Sequence, residues 1–326
     1  MRKFLVILLV LTLVLMSANA FAVKRFRIAT AGTSGSLYPM GVLMAETINK
    51  HLPDFKASAE SSAGSLANIR NLSLGKVEWG IAQNDIAWFA YNGLGPFKGK
   101  KITELRSLFG TLSGWLQIFV PKNSDIKSIK DFKGKRVSVG AAGSGGEIDA
   151  RLILGYYGIT YKDIKPFFLR EKDAVAALKD GTIDAMIATH PLKSAAFRDL
   201  TTSFDVRMIS LDDDGLYKKY PFFNKNVVPV GTYRGVDYPV TTASIVVFMY
   251  TTTKAGFSED EIYKLLKAIF ENRDEWKDAS ASVKKYVKLE NALKGAAIPL
   301  HVGAIKFFKE KGFEIPDFLY PPEYKK

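Results

Sequence analysis

Phe26-Arg27-Ile28-Ala29-Thr30-Ala31-Gly32-Thr33-Ser34-Gly35-Ser36-Leu37-Tyr38-Pro39 is the stretch on which the fold turns. Its first residues are apolar and β-prone. A loop of small and hydroxyl residues follows, and then a helix whose apolar positions include Met40, Leu43, Met44 and Ile48. Glycine in such a loop lets another molecule approach the backbone closely. The first amides of the helix lack intrahelical partners and stand at the positive end of its dipole. A strand, a glycine loop and a helix in this order therefore predict a cradle for a carboxylate, sulfate or phosphate. The same residues also suit a plain strand-to-helix turn capped by Ser34 or Ser36.

A second copy of the pattern favours the cradle. Val137-Ser138-Val139 runs into Gly140-Ala141-Ala142-Gly143-Ser144-Gly145-Gly146, and a helix follows from Glu147. Downstream, Leu72, Gly75, Val77, Glu78, Ile81 and Ala82 recur as Leu178, Gly181, Ile183, Asp184, Ile187 and Ala188, at a constant offset of 106 residues. Each half reads strand, helix, strand, helix, strand, the order of a parallel sheet with helices on its faces. Trp115–Val120 and Val240–Tyr250 are long β-rich runs that read as strands crossing between the halves. The expected architecture is α/β, two pseudo-equivalent lobes with mainly parallel sheets joined by hinge strands. Lobe 1 is expected over 23–115 plus 240–326, and lobe 2 over 116–239.

The first residues read as export machinery. Arg2 and Lys3 precede an apolar run from Phe4 to Met16, followed by small-x-small sites ending at Ala20 and Ala22. That is the pattern of a secretory signal peptide over 1–22, cleaved near Ala22, and it implies a periplasmic protein. The chain of 326 residues has no cysteine, which removes disulfides, thiolate metal sites and a lipid-modified cysteine together. Its formal charge is +13, or +11 without Arg2 and Lys3, spread over scattered lysines rather than one dense run. That distribution argues against a nucleic-acid arm and suits either a plain solvated surface or one that attracts anionic ligands or a charged partner surface.

Enzyme motifs are thin. His51, His190 and His301 have no ligand-like spacing, and there is no nucleophile elbow and no Walker loop. No enzyme activity, cofactor or metal is expected. Asp85 and Glu147 stand near the expected cleft, where each suits either a substrate ammonium or the start of a helix. His190 follows a strand at the same edge, as a ligand contact or a packed side chain.

Ile28–Pro39, Ala63-Gly64-Ser65-Leu66-Ala67-Asn68, Gly80–Asp85, Gly95–Gly99, Asp131–Gly146 and His301-x-Gly-Ala together resemble the TAXI group of solute receptors, which serve TRAP transporters. The likeness covers nearly the whole chain after residue 22 and implies an α/β, two-lobed periplasmic-binding-protein-like fold of type II, with two mainly parallel sheets joined by hinge strands. It implies capture of a small anionic or zwitterionic solute, glutamate or a related amino acid, by a monomer that feeds a TRAP permease. It also implies ligand contacts at Gly32, Thr33, Ser34, Gly35, Tyr38, Ser65, Leu66, Gln83, Asp85, Ser144, Gly145, Gly146 and Glu147. Ala188-Thr189-His190-Pro191 departs from the small residues expected there, and His190 joins the candidate contacts. The residues themselves leave an ABC permease or a sensor kinase open as the partner.

Overall fold

The computed structural model describes residues 23–33, 36–220, 222–277, 279 and 281–325. The signal-peptide reading of 1–22 and the candidate contacts Ser34 and Gly35 lie outside the described residues.

The first half begins with β1 (Lys24–Ala29), α1 (Leu37–His51), β2 (Phe55–Glu60), α2 (Ser65–Ser73), β3 (Trp79–Gln83) and α3 (Asn84–Asn92). β1 lies between β2 and β3, parallel to both. β4 (Leu105–Pro121) then leads into the second half. There β5 (Arg136–Ser138), α4 (Gly145–Tyr156), β6 (Lys165–Phe167), α5 (Glu171–Lys179) and β7 (Ala185–His190) repeat the order. β5 lies between β6 and β7, again parallel to both. α6 (Ala195–Ser203), β8 (Val206–Met208), α7 (Asp214–Lys219) and β9 (Asn224–Val228) complete that half. The chain returns through β10 (Val240–Thr252) and ends with α8 (Glu259–Glu271), α9 (Ala281–Tyr286) and α10 (Val302–Glu310).

The two parallel half-sheets, β2-β1-β3 and β6-β5-β7, belong to one hydrogen-bonded path because β10 and β4 lie between them, antiparallel to each other. β10 pairs with β3, and β4 pairs with β7. Trp115 marks the changeover, paired with Ser244 on one side and His190 on the other. The two β-rich runs of the sequence are thus the strands that join the halves. β4 is buried along nearly its whole length, so neither face had to be polar. Polar residues are buried along it beside the apolar ones, Arg106, Ser107, Thr111 and Gln117 among them, so it shows no alternation between a core face and a solvent face.

Helix positions follow from local chemistry. Met40, Met44 and Ile48 of α1 are fully buried at four-residue spacing, one stripe against the core. α8 opens with a capping box in which Ser258 and Glu261 satisfy each other's backbone, and Glu259, Asp260 and Glu261 complement the dipole. The sequence repeat reappears as a pair of clamps. Glu78, just before β3, accepts from the Arg27 amide at 2.8 Å and from Arg27 Nη2 at 2.9 Å. Asp184, just before β7, accepts from the Arg136 amide at 2.8 Å and from Arg136 Nη2 at 2.6 Å. Each clamp fastens the first strand of its half to the third. Burial alone would raise the Glu78 carboxyl, but the Arg27 hydrogen bonds outweigh it and hold it low. Asp184 is lowered chiefly by its bond from Arg136.

Candidate functional site

A cavity of about 150 Å³ lies at the carboxyl ends of the parallel strands, between the halves. This is where open α/β sheets hold their ligands. Four helices start at its wall. α1 contributes Ser36 and Leu37, α2 Gly64 and Ser65, α4 Ser144 to Gly146, and α5 Arg170 and Glu171. Their positive ends converge on one small volume. The openings of α1, α2 and α5 have no side-chain cap, and Ser36 sits at the N-cap position without capping through its hydroxyl. At α4 the Ser144 hydroxyl accepts from the Glu147 amide at 3.1 Å. Leu112, Ile187, Ile245 and Val247 supply an apolar floor.

The loops of the two halves touch around this cavity. A Cβ on Gly32 would lie 2.0 Å from Arg170 Nη1, so the guanidinium of the second half rests against the backbone of the first. A Cβ on Gly145 would lie 1.1 Å from Gln83 Oε1, so the Gln83 side chain passes directly over that residue. Gly64 has φ +110, the region that favours glycine, and a Cβ there would lie 3.4 Å from Ser144 Cα.

Among the candidate residues, Gly32, Ser65, Gln83, Ser144, Gly145, Gly146 and His190 line the cavity. Thr33, Tyr38, Leu66, Asp85 and Glu147 are not part of its wall. Leu66 packs in the first-half core. The Glu147 carboxylate accepts from Arg151 Nη2 at 2.5 Å and from the Tyr161 hydroxyl at 2.7 Å, which turns it from the cleft. Asp85 is fully buried at the start of α3, behind the wall. Neither acid stands where a substrate ammonium in the cavity would reach it.

His190 ends β7. Gln117 Nε2 donates to its carbonyl at 3.0 Å, and its ring meets Phe197 edge-on at 5.7 Å. Its Nδ1 lies 3.6 Å from Glu171 Oε2. Of the other histidines, His51 pairs with Glu275, and His301 caps α10 through Nδ1 to the Gly303 amide at 3.1 Å. Burial lowers the His301 imidazole to about 4. Among the described residues, no group of three His, Cys, Asp or Glu is placed to hold a metal ion.

Arg170, Glu171 and Thr189 were missed by the residue-by-residue reading. The repeat contains the signal for them. Its offset of 106 carries Gly64, Ser65 and Gln83 of the first half onto Arg170, Glu171 and Thr189 of the second. Gln83 Nε2 and Thr189 Oγ1 each donate at 2.7 Å to the same oxygen, Asp149 Oδ2.

A family model described as the NMT1-like family matches residues 28–312. A protein of Escherichia coli (strain K12), described as aliphatic sulfonates-binding, is 26% identical over 196 residues, 55% of this chain and 57% of that protein. The chain thus spans little more than half the length of that curated relative. PhnD1 from Prochlorococcus marinus, solved with methylphosphonate, is 12% identical and covers 76% of this chain and 84% of that one, with a TM-score of 0.50. The periplasmic sulfonate-binding protein SsuA of a sulfonate ABC transporter from Methylobacillus flagellatus KT is 19% identical and covers 89% and 85%, with a TM-score of 0.47.

These likenesses show the α/β periplasmic-binding-protein fold, and they relate the chain to solute-binding proteins rather than to enzymes. They also correct the TAXI resemblance. The matching family is NMT1-like and the curated relative is sulfonates-binding, so a TRAP permease is withdrawn as the partner. Among the described residues no helix is long and apolar enough to cross a membrane.

Proposed function

We propose that this chain, which belongs to the NMT1-like family, is an extracytoplasmic binding protein that closes on a small oxyanion and hands it to an ABC importer. The observation that carries the reading is the convergence of four helix openings, three without side-chain caps, on one cavity beside Arg170. Each opening contributes on the order of 0.3–1 kcal/mol toward an anion. Each charge-assisted hydrogen bond adds roughly 1.5–3 kcal/mol. Contacts drawn from both halves exist together only when the cleft is shut, so a guest shifts the population toward the closed form.

The guest's size follows from the cavity. About 150 Å³ suits a head of roughly benzene size. Ser36, Glu171, His190 and Pro191 also border a larger cleft of about 980 Å³, through which a longer chain would leave. Sulfonates of short chain fit this plan, and the sulfonates-binding relative supports that class. An ABC importer is the partner that the residues left open beside a sensor kinase once the TRAP likeness is withdrawn, and the basic balance of the chain favours an anionic guest.

Glu171 favours a second reading, a zwitterion such as an aminosulfonate or amino acid. Its carboxylate lines the cavity, about a tenth exposed, where it would receive an ammonium. Calorimetry with methanesulfonate, taurine, glutamate and cystine is the test. Micromolar or tighter binding of methanesulfonate supports the oxyanion reading. Preference for taurine or glutamate over their amine-free analogues supports the zwitterion. Binding of none of them, by a protein whose native mass shows no retained guest, would sink the proposal.

A further inference from the structure

Behind the cavity wall, Gln83 of the first half donates to Asp149 of the second, and a second buried carboxyl, Asp85, faces that junction. Asp85 stands in the first turn of α3 and Asp149 in α4, and both are fully buried. Asp149 Oδ2 accepts from Gln83 of the first half and Thr189 of the second. Its Oδ1 has no partner, and among the described residues no side chain donates to either oxygen of Asp85. The titratable groups that face Asp85 are Asp149 from α4 and Tyr250 from β10. Ser65 and Gln83 from the first half and Thr189 from the second are neutral.

Two ionised carboxylates cannot stay together in such a place. Burial penalises each charge, and each charge raises the other. Burial first, and then the charge of Asp149, push the Asp85 carboxyl well above its ordinary range. Burial likewise raises Asp149, and the donors Thr189 and Gln83 hold that rise back. The low-energy arrangement is therefore one proton shared between the pair, with Asp85 protonated toward an Asp149 carboxylate already held by two donors. The start of α3 offers backbone amides to Asp85, which only partly offset its burial.

We propose that Asp85 and Asp149 form a proton-sharing latch between the halves, so that closing the cleft takes up one proton from solvent. This rests on the reading of the cleft as a solute site that opens and closes. Parting α3 from α4 would let water reach both carboxyls, which would then ionise at ordinary values of roughly 4. In the closed form one of them carries a proton. Closing then binds one proton wherever the open pair is ionised and the closed pair is not. Low pH favours closure, and rising pH weakens it by about tenfold per unit across that window.

Small-angle scattering of the solute-free protein tests the latch without reference to any guest. The wild type is expected to compact as pH falls from about 8 to about 5. Asp85→Asn removes the group that burial and its neighbour raise most and supplies a neutral donor to Asp149, so compaction should set in only at lower pH than in wild type. Asp149→Asn removes the neighbouring charge and leaves burial alone acting on Asp85, so it too shifts compaction to lower pH, and it stands in if Asp85→Asn fails to fold. A wild type with constant radius, or variants that titrate as it does, would overturn the latch. With methanesulfonate, or whichever panel solute binds, calorimetry in two buffers of different ionisation heat should read one proton taken up per solute in wild type and none in Asp85→Asn. Binding without proton uptake removes the latch and leaves the solute site standing. Proton-linked compaction with no solute bound does the reverse.

Discussion

α2 and α5 are the same helix in two halves of one molecule, and they open differently. Both have nine residues, Ser65–Ser73 and Glu171–Lys179, 106 positions apart, and each leads to a buried parallel strand. α2 starts behind Gly64, a residue in a glycine-favoured conformation with no side chain to interfere. α5 starts behind Arg170, whose guanidinium reaches Gly32 in the opposite half. The strands after them diverge as well. Gln83 leads straight into α3, whereas Thr189 is followed by His190 and Pro191, and no helix begins until Ala195. A duplicated scaffold thus supplies two like cradles. The first half leaves its cradle bare, and the second adds a cation, an acid and an imidazole. Under the proposed function, affinity for anions would come from what the halves share, and discrimination among them from what the second half adds.

The largest expected effect breaks the approach of the halves. Gly145→Leu puts a branched side chain where Gln83 lies, so the loops cannot meet. Solute affinity should fall by at least about a hundredfold in calorimetry, equivalent to roughly 2.8 kcal/mol. Retention of wild-type affinity would mean that the closed contacts do not form around the guest. Arg170→Ala makes the opening of α5 resemble that of α2. Affinity for a sulfonate should weaken by about tenfold, the lower part of the range for a charged hydrogen bond because the arginine is exposed. An unchanged Kd would reduce Arg170 to a surface residue.

The third prediction concerns stability and its dependence on pH. α10 of the first half opens on the buried His301 imidazole, while α4 and α6 of the second open on Ser144 and Ser194, which do not titrate. His301 stays neutral in the fold down to about 4, chiefly because it is buried. In the unfolded chain it gains a proton below its ordinary value of about 6.5. Its contribution is complete above that value and is lost as pH falls toward 4. His301→Asn keeps an acceptor for the Gly303 amide and should flatten the fall of Tm across this window. A steeper fall in the variant would contradict the assignment.

The smallest effect tests the equivalence of the halves. Glu78→Gln and Asp184→Asn each loosen one clamp between first and third strands. Both arginines are partly exposed, so screening limits the loss, and each Tm should drop by no more than about 2 °C. Unequal drops would show that one half depends on its clamp more than the other.

Much of this scaffold was legible in the chain. Parallel strands follow from short apolar runs alternating with helical stretches in each half. The joining strands were legible from their β-rich segments, Trp115–Val120 and Val240–Tyr250, which fall within β4 and β10. Short second-half elements such as β8 and α7 were missed, because three to six residues carry too little periodicity.

The sequence by itself determined the duplication, the two glycine loops and the helix openings, because these depend on residues close together in the chain. Only the tertiary structure decided that Arg170 lies against Gly32, that Gln83 crosses Gly145, and that Asp85 and Asp149 share one buried space. Contacts of that kind join residues 60 or more positions apart, and burial, which sets the charge of each carboxyl, is a property of the packed whole rather than of any segment.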